Sequence, residues 1–358
     1  MSDKEMSCRC MACYRLPFAD TYHYIAQNDI SCKVDSTSVS DKMQGFLVVP
    51  FVETESTPSI LIRPDVHELR TIENISDDFS CFASDDHLQK EAYTKCFKQC
   101  SALLSKRILQ KVVLSRRLLM KRIGGDPWEA ERMFLRACLL YPNKYVAMWS
   151  TPQTGTWLVA SPETLLERVS SFWKTMSLAG TMTWDAGKSE GKSAYWSTKD
   201  KREQQLVTDY IYKCLLPFAE RIELRGPFPT KAGDLAHLRT DFLFTLHDHK
   251  NIGDILSCLH PTPAVCGLPL EEAFQSILDI EDSSRKYYSG FSGPFFLDNE
   301  TRLYVSLRCM EFSINEALLY AGGGLLVDSD EETEWIETCR KMNTMLSLFQ
   351  SGSILKNE

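Results

Sequence analysis

The strongest constraint on the fold is that strand-like and helix-like segments follow one another in blocks. Residues 145–150, 156–161 and 165–170 form three successive apolar, β-rich runs with only short polar links between them. Short links join antiparallel strands, whereas strict alternation of strands and helices builds a parallel sheet. The pattern therefore predicts an α+β fold with large antiparallel sheets.

The other segments fit the same class. Helical spacing of apolar residues or start signals predict helices over residues 87–108, 127–140, 197–222, 267–280 and 331–350. Further strands are predicted over 45–51, 59–62, 111–119, 302–312 and 317–323. No Pro/Gly/Ser-rich linker marks a boundary, so one domain is predicted, with a weakly patterned part over 1–90 and the main region over 91–358.

Composition limits the possible partners. The chain has 358 residues, is 44% hydrophobic and carries a formal net charge of -8. An acidic surface argues against general binding to nucleic acid or to acidic membranes. No run of about 18 apolar residues occurs, and the N-terminus contains acidic residues and no apolar run, so it is not expected to be a secretory signal. With 13 scattered cysteines interpreted as reduced thiols, these features predict a cytoplasmic protein.

Two residues are candidates for acid–base chemistry. Lys111 begins an apolar strand, where it is either a solvated strand end or a desolvated amine that acts as a base. Glu163, in SPETLLER, is either a surface turn carboxylate or a carboxyl held protonated in a cleft. The spacing alone leaves both alternatives open.

Three glutamates are candidates for a metal site. Glu203 lies near the start of a charged helix, and Glu334 and Glu337 share one face of the last helix. Trp335 and Ile336 interrupt that charged run, so part of this helix must be buried. Carboxylates without accompanying sulfur or imidazole ligands suit Mg²⁺, although a solvated helix face explains them equally well.

Ligand contacts are also suggested by glycines, an arginine and a histidine. Gly322, Gly323 and Gly324 follow the strand ALLYA and could point backbone amides at an anion, or simply form a turn. Arg308 ends the alternating run LYVSLR and could pair with a carboxylate. His260 precedes a proline-rich loop and could be structural.

Together these segments resemble a known family. KVVLSR, SPETLLER, SLAGT, KDKREQQLV, LHPTPAVCGLP, YYSGFSGPF, LYVSLR, YAGGG and EWIETCRKM occur in the order typical of chorismate-utilising enzymes. That group includes isochorismate, salicylate, anthranilate and aminodeoxychorismate synthases. The resemblance covers roughly residues 95–350, and it implies two facing antiparallel sheets wrapped by helices.

The resemblance also implies roles for single residues. Mg²⁺ would be held by Glu203 and Glu337 with Glu334 close by, and Lys111 and Glu163 would be the base and the acid. Chorismate would be bound by Arg308 and Gly322–Gly324. The remaining substrate contacts implied by the resemblance are Gly180 and Thr181 in SLAGT, His260 and Ala264 in LHPTPAVCGLP, and Tyr304 in LYVSLR.

Three positions indicate the branch of the family. Lys111 stands where water-adding members carry lysine, Ala179 where many aminodeoxychorismate synthases carry a nucleophilic lysine, and Ala264 where ammonia-adding members commonly have threonine. Gln204 departs from the family's usual histidine. These features predict an isomerase, isochorismate synthase, whose product feeds menaquinone or siderophore biosynthesis. The enzyme is expected to be a monomer without a glutaminase subunit. The alternatives are a salicylate synthase and an inactive binding relative.

Overall fold

Two sheets carry most of the chain in the computed structural model, which describes residues 10–74, 81–83, 86–122, 130–183, 196–232, 235–247, 252–349 and 354–355. Among these residues every strand pair except β20–β7 is antiparallel. The first sheet has eleven strands: β1 (Cys10–Arg15), β2 (Thr21–Gln27), β6 (Val66–Thr71), β7 (Cys81–Ala83), β8 (Lys111–Arg122), β9 (Tyr145–Thr151), β10 (Gly155–Ser161), β15 (Gly267–Leu268), β18 (Cys309–Phe312), β19 (Glu316–Leu325) and β20 (Ile354–Leu355).

The second sheet has nine strands: β3 (Cys32–Lys33), β4 (Gly45–Val49), β5 (Ile60–Ile62), β11 (Thr164–Val169), β12 (Phe172–Thr183), β13 (Ala219–Ala232), β14 (Leu235–Leu246), β16 (Phe291–Phe295) and β17 (Thr301–Val305). The helices are α1 (Asp86–Ser105), α2 (Ala130–Leu140), α3 (Thr198–Leu215), α4 (Ile252–Leu259), α5 (Leu270–Ile280) and α6 (Glu331–Leu346). None of these helices is long and apolar enough to span a membrane.

The two sheets face each other across one apolar core. Trp149 and Trp157 of the first sheet and Phe46 and Val48 of the second belong to the same buried cluster. Outside this core, α2 and α6 cover the first sheet, and α3 and α4 cover the second. The predicted α+β fold with two facing antiparallel sheets is confirmed. Strands from residues 10–71 belong to both sheets, so this part shares the core of the remaining chain.

Two predicted elements are wrong in ways that matter for the site. The predicted strand over 302–312 is two strands, because β17 lies in one sheet and β18 in the other, with Arg308 between them at φ 46°. The predicted helix over 197–222 ends at Leu215, and β13 begins at Ala219. Pro217 contributes to this end, since proline lacks the backbone donor that would continue the helical hydrogen bonds.

Smaller differences concern helix ends. Gly267 and Leu268 form a short strand beside β8, so α5 begins only after Pro269. The helix α4 was not predicted, and α6 gives way to a 3₁₀ turn over Ser347–Phe349. The first three residues of the helix predicted over 127–140 lie outside the described residues. The same holds for residue 350, the predicted end of the last helix.

Candidate active site

The candidate site lies where the chain passes from one sheet to the other. Glu163 lies between β10 and β11, and Arg308 lies between β17 and β18. The two crossings are joined by backbone hydrogen bonds, from Val305 N to Glu163 O at 3.0 Å and from Ala160 N to Arg308 O at 3.0 Å. Sheet topology thus brings a carboxyl and a guanidinium from distant parts of the chain to one cavity.

Most of the predicted site residues line this cavity. Those that do are Glu163, Gly180, Thr181, Glu203, Ala264, Arg308, Gly322 and Gly324. The cavity is also lined by Ala179 and, among the residues that the sequence did not single out, by the polar side chains of His237, Tyr288 and Lys341. Lys111, Gly323, Glu334 and Glu337 contribute from the surrounding shell, as described below.

Lys111 is fully buried and forms an ion pair. Its side chain has no exposed surface, and its Nζ lies 2.9 Å from Glu203 Oε1. The pairing of β8 with β15 at Leu268 covers the strand end that would otherwise be open to solvent. Of the two alternatives, the structure therefore supports the desolvated amine. Nζ makes no aligned hydrogen bond with a described residue, so its contact with Glu203 is an ion pair without hydrogen-bond geometry.

The three glycines lie within β19, and their amides do not all face the same way. On β8, Val113 N donates to Cys266 O at 2.7 Å, so this residue points its amide away from β19. Because amides alternate along an antiparallel pair, Gly324 opposite Val113, and likewise Gly322, point theirs away from β8, while Gly323 bonds within the ladder. Only two of the three predicted amides can thus serve an anion.

The absence of side chains at these glycines makes room for the charged pair. A Cβ built on Gly324 would lie 2.2 Å from Glu203 Oε1 and 3.1 Å from Lys111 Cε. A Cβ on Gly322 would lie 2.7 Å from the Tyr288 hydroxyl. Contacts this short cannot be kept, so an alanine at position 324 would displace the carboxylate or the amine, and an alanine at position 322 would displace the Tyr288 hydroxyl.

We expect Gly324→Ala to lower turnover by about 10²-fold with the fold retained, since misplacing a reacting group by about 1 Å can have this effect. The matched variant is Gly155→Ala at the start of β10, outside the cavity, whose Cβ would meet nothing within 4 Å. It should lose less than tenfold on the same scale. Steady-state kinetics of both proteins, with circular dichroism as the folding check, tests this. Equal losses would contradict the steric role.

Glu163 has the character of an acid near neutrality. Burial raises its pKa to about 7, although Lys111, Arg308 and Lys341 act in the opposite direction. The interpretation as a surface carboxylate is excluded, because the residue is only 3% exposed. A carboxyl with this pKa holds its proton long enough to donate it to a leaving group.

This pKa predicts how stability depends on pH. The folded value of about 7 lies above the ordinary value of 4.5, so the folded state binds more protons between the two values, and stability falls as pH rises through this window. Relative to Glu163→Gln, the wild type should lose on the order of 3 kcal/mol of unfolding free energy. Urea denaturation of both proteins at pH 5 and pH 8 measures the difference, and parallel pH profiles would contradict the raised pKa.

The three candidate metal ligands each have a lysine partner. Glu203 pairs with Lys111, Glu334 with Lys199, and Glu337 with Lys341 at 2.6 Å. Burial, followed by the charge of Glu337, raises the pKa of Glu334. Burial alone would raise the pKa of Glu337 too, but Lys341 and other cations outweigh it and lower the value.

The donor set fits a hard cation only in part. Within the described ranges, no three His, Cys, Asp or Glu side chains converge as a complete metal site. Mg²⁺ does not require one, since it commonly takes one or two carboxylates plus waters and substrate. Glu334 Oε2 is buried without a hydrogen-bond partner, and it and Glu337 Oε1 lie 3.3 and 3.8 Å from the Cβ position of Gly323. These oxygens offer such a ligand pair.

Gln204 does not belong to the site. Its amide nitrogen donates to Ser177 Oγ at 2.8 Å and Thr240 Oγ1 at 3.2 Å, on strands β12 and β14. The side chain therefore packs towards the second sheet, whereas Glu203 one residue earlier faces the cavity. Glutamine at this position, where the family usually has histidine, therefore does not displace the candidate metal ligands.

The histidine at the cavity is His237, not the predicted His260. Burial, followed by the charges of Arg308 and Lys341, lowers the pKa of His237 to about 3, so the ring is neutral. Its Nδ1 lies 2.9 Å from Gly180 O and donates to it, which leaves Nε2 as an acceptor, 3.4 Å from Arg308 Nη2. No sequence signal distinguished this histidine.

Two predicted substrate contacts lie away from the cavity. His260 Nε2 donates to Pro50 O at 2.9 Å, and the ring packs edge-on against Phe291. Tyr304 stacks on Tyr145 with ring centroids 4.1 Å apart. Both side chains are thus engaged in the protein interior and do not line the cavity, which argues against the predicted direct contacts with substrate.

Lys341 was missed although the sequence held a signal for it. It follows Glu337 by one helical turn, the spacing at which oppositely charged side chains meet. Its Nζ pairs with Glu337 and also donates to Gly322 O at 2.9 Å. The cavity is therefore lined by a second cation besides Arg308.

Comparison with known proteins identifies the family of this chain. The family model for chorismate binding enzymes matches residues 51–350. Isochorismate synthase DhbC of Bacillus subtilis (strain 168) is 29% identical over 270 residues, covering 72% of this chain and 67% of DhbC. Isochorismate synthase MenF of the same strain is 27% identical over 277 residues, covering 76% of this chain and 58% of MenF.

A solved structure gives the same picture for the fold. That of MenF, the menaquinone-specific isochorismate synthase from Escherichia coli, matches with a TM-score of 0.80 at 20% identity, covering 96% of this chain and 89% of that chain. Both the predicted fold and the predicted resemblance to the isochorismate synthases are confirmed. The sequence motifs, the two-sheet architecture and the family match agree: the chain belongs to the chorismate binding enzyme family.

Proposed function

We propose that the chain is a Mg²⁺-dependent isochorismate synthase, an isomerase that converts chorismate to isochorismate. The observation that carries the proposal is the pairing of a buried amine, Lys111, with Glu203 beside a buried carboxyl, Glu163, whose pKa is about 7. The two groups supply a base and an acid to one cavity. The curated relatives named above are isochorismate synthases, which supports the same activity here.

The cavity suits a small dianion. Chorismate carries one carboxylate on its ring and one on its enolpyruvyl group. Arg308 and Lys341 provide two cations, and the amides of Gly322 and Gly324 point off the strand ladder beside them. A guanidinium binds a carboxylate with two parallel hydrogen bonds, so Arg308 is suited to hold one of these groups.

Glu203 and Glu337, with Glu334, are the residues that would hold Mg²⁺. When bound, the ion neutralises and orients a substrate carboxylate, a function that hard cations with oxygen ligands supply. Lys341 lowers the pKa of Glu337 and so favours its ionised form, whereas Lys199 only partly offsets the burial that raises the pKa of Glu334.

The reaction is then a proton exchange across the substrate ring. Lys111 removes a proton from the water that adds to ring carbon 2, the double bonds shift, and the hydroxyl at carbon 4 leaves with a proton from Glu163. Glu203 stabilises the ammonium form that Lys111 takes after it has accepted the proton. In the reverse direction the same two groups exchange roles.

The lining of the cavity supports water as the nucleophile. Ala179 and Ala264, two of the three branch positions, both line the cavity with small apolar side chains. Neither can hold ammonia by a hydrogen bond or attack the ring as a nucleophile. A salicylate synthase would share Lys111 and the glutamates, and would differ by eliminating pyruvate.

Product analysis tests the proposal. With chorismate and Mg²⁺ we expect isochorismate without pyruvate, and with high ammonium at alkaline pH still little aminated product. Chromatography with a pyruvate assay and fluorescence detection of anthranilate separates the possibilities. Stoichiometric pyruvate would establish the salicylate synthase alternative, rapid anthranilate formation would contradict the branch assignment, and no turnover at all would establish the inactive relative.

The proposal extends to the cellular location, the oligomeric state and the pathway of the enzyme. The enzyme would act in the cytoplasm, as a monomer without a glutaminase subunit, since no ammonia is used. Its product would feed menaquinone or siderophore biosynthesis.

A further inference from the structure

Two cysteine thiols meet outside the candidate active site, at the ends of two helices. Cys214 lies in the last turn of α3, and Cys258 lies in the last turn of α4. Cys214 Sγ donates to Cys258 O at 3.1 Å, and Cys258 Sγ donates to Cys214 O at 3.8 Å. Since each sulfur contacts the backbone of the other residue, the two side chains run past each other and their thiols are neighbours. The proposed reaction uses neither of them.

The environments of the two thiols differ, and this difference gives them separate roles. Cys258 is half-buried and can be reached from solvent, whereas Cys214 is only 7% exposed. A hydrogen bond from the Cys214 thiol lowers the pKa of Cys258 to about 7, and the same contact, followed by burial, raises the pKa of Cys214. A thiolate, not a thiol, attacks a disulfide. Cys258 therefore has the properties of the attacking sulfur, and Cys214 those of the sulfur that reacts second.

Other neighbouring thiols lack this asymmetry. Cys96 and Cys100 lie one turn apart on α1, and burial raises the pKa of both, that of Cys100 to about 12. Burial likewise raises the pKa of Cys138 to about 12 and that of the nearby Cys13. These four side chains remain thiols near neutral pH, and buried thiols of this kind are inert towards disulfides. They serve as internal controls for the pair at the helix ends.

We propose that Cys258 and Cys214 are a redox-modification site, which a low-molecular-weight disulfide of the glutathione type oxidises to an intramolecular disulfide. The Cys258 thiolate attacks one sulfur of the small disulfide and releases one glutathione thiolate. The Cys214 thiol then loses its proton to solvent and attacks Cys258 Sγ, which releases the second glutathione thiolate and closes the bond. In total, two protein thiols are oxidised, and one molecule of glutathione disulfide is reduced to two of glutathione.

The bond would join two elements that contribute to the candidate active site. The helix α3 carries Glu203, and the loop that follows α4 lines the cavity with Ala264 and Val265. Both cysteines lie in terminal turns, where helices fray, so the backbone can adjust without unfolding either helix. The Tyr210 hydroxyl of α3 donates to Cys258 O at 3.0 Å and holds the two ends together in the reduced protein. The redox proposal does not depend on the proposed function.

Treatment of the folded full chain with glutathione disulfide, followed by thiol blocking, trypsin digestion and mass spectrometry, tests the proposal. We expect both thiols to be lost and the peptide that begins at Cys214 to be linked to the peptide over 251–285. The second peptide also contains Cys266, so fragment ions must assign the bond to Cys258. The thiols of α1 should remain free, and dithiothreitol should restore the lost pair. Circular dichroism before and after oxidation checks that the protein stays folded.

Two variants separate the roles of the thiols. Cys214→Ala should stop at the mixed disulfide, with glutathione retained on Cys258, whereas Cys258→Ala should leave Cys214 as a free thiol. Cys32→Ala, at an exposed thiol, is the control and should form the bond as the wild type does. The proposal is overturned if no bond forms in the folded wild type, if the bond links Cys214 to Cys266, or if Cys214 is oxidised as readily in Cys258→Ala.

Discussion

Lys111→Ala should lower chorismate turnover at least about 10²-fold while substrate still binds, because a positioned acid–base group contributes about 10²- to 10⁴-fold. The substrate carboxylates would be held by Arg308, Lys341 and the glycine amides, and the variant leaves these in place. Since a catalyst cannot move an equilibrium, the forward and reverse rates should fall by the same factor at a fixed pH. Turnover in both directions, together with substrate binding by calorimetry, measures this.

The matched control is Lys121→Ala, at the other end of β8, where the lysine is 48% exposed and pairs with Glu316 at the surface. It should keep wild-type turnover. Removing Lys111 leaves Glu203 buried without its partner, so the variant could lose stability as well as activity. Lys111→Gln, which keeps a polar donor beside Glu203, separates the two effects. A folded Lys111 variant with nearly wild-type turnover would defeat the mechanism.

Glu203→Gln and Glu337→Gln should each abolish measurable turnover at millimolar Mg²⁺, because a neutral amide is a poor ligand for a hard dication. The two variants complement each other. Glu203 also neutralises Lys111, whereas Glu337 pairs with Lys341 and has no contact with the base. Loss of Mg²⁺ affinity in both, measured by calorimetry on the unliganded protein, would therefore report on the metal site and not on the base.

Glu332→Gln is the control on the same helix, since Glu332 is 58% exposed and pairs with Lys90 at the surface. Its Mg²⁺ affinity and turnover should match the wild type. The metal assignment fails if chelator leaves the wild-type enzyme fully active, or if Glu337→Gln binds Mg²⁺ unchanged.

The acid–base pair illustrates what local pattern could and could not predict. The sequence placed Lys111 at a strand start and Glu163 after a proline, but both positions are usually solvated. Burial decided between the alternatives, and it results from sheet pairing with β15 and from the crossing between sheets, contacts that lie far apart along the chain. No window of residues around either position contains this information.

The histidine and the glycines make the same point. His260 had the more conspicuous sequence context, yet its ring is held by Pro50, and His237 on a regular strand reaches the cavity. The sequence showed that Gly322–Gly324 permit close approach. Which amides are free depends on pairing with β8, because hydrogen-bond direction alternates along an antiparallel ladder.

By itself, the sequence determined the fold class, the family, most of the strands and helices, and the residue types available for chemistry. It did so because motif order and local periodicity are written along the chain. Only the tertiary structure decided the pairing of Lys111 with Glu203, the break of the predicted strand at Arg308, and the second cation Lys341 at the cavity. These features depend on which distant segments become neighbours, and proximity in space sets the burial and the charge that give a side chain its chemistry.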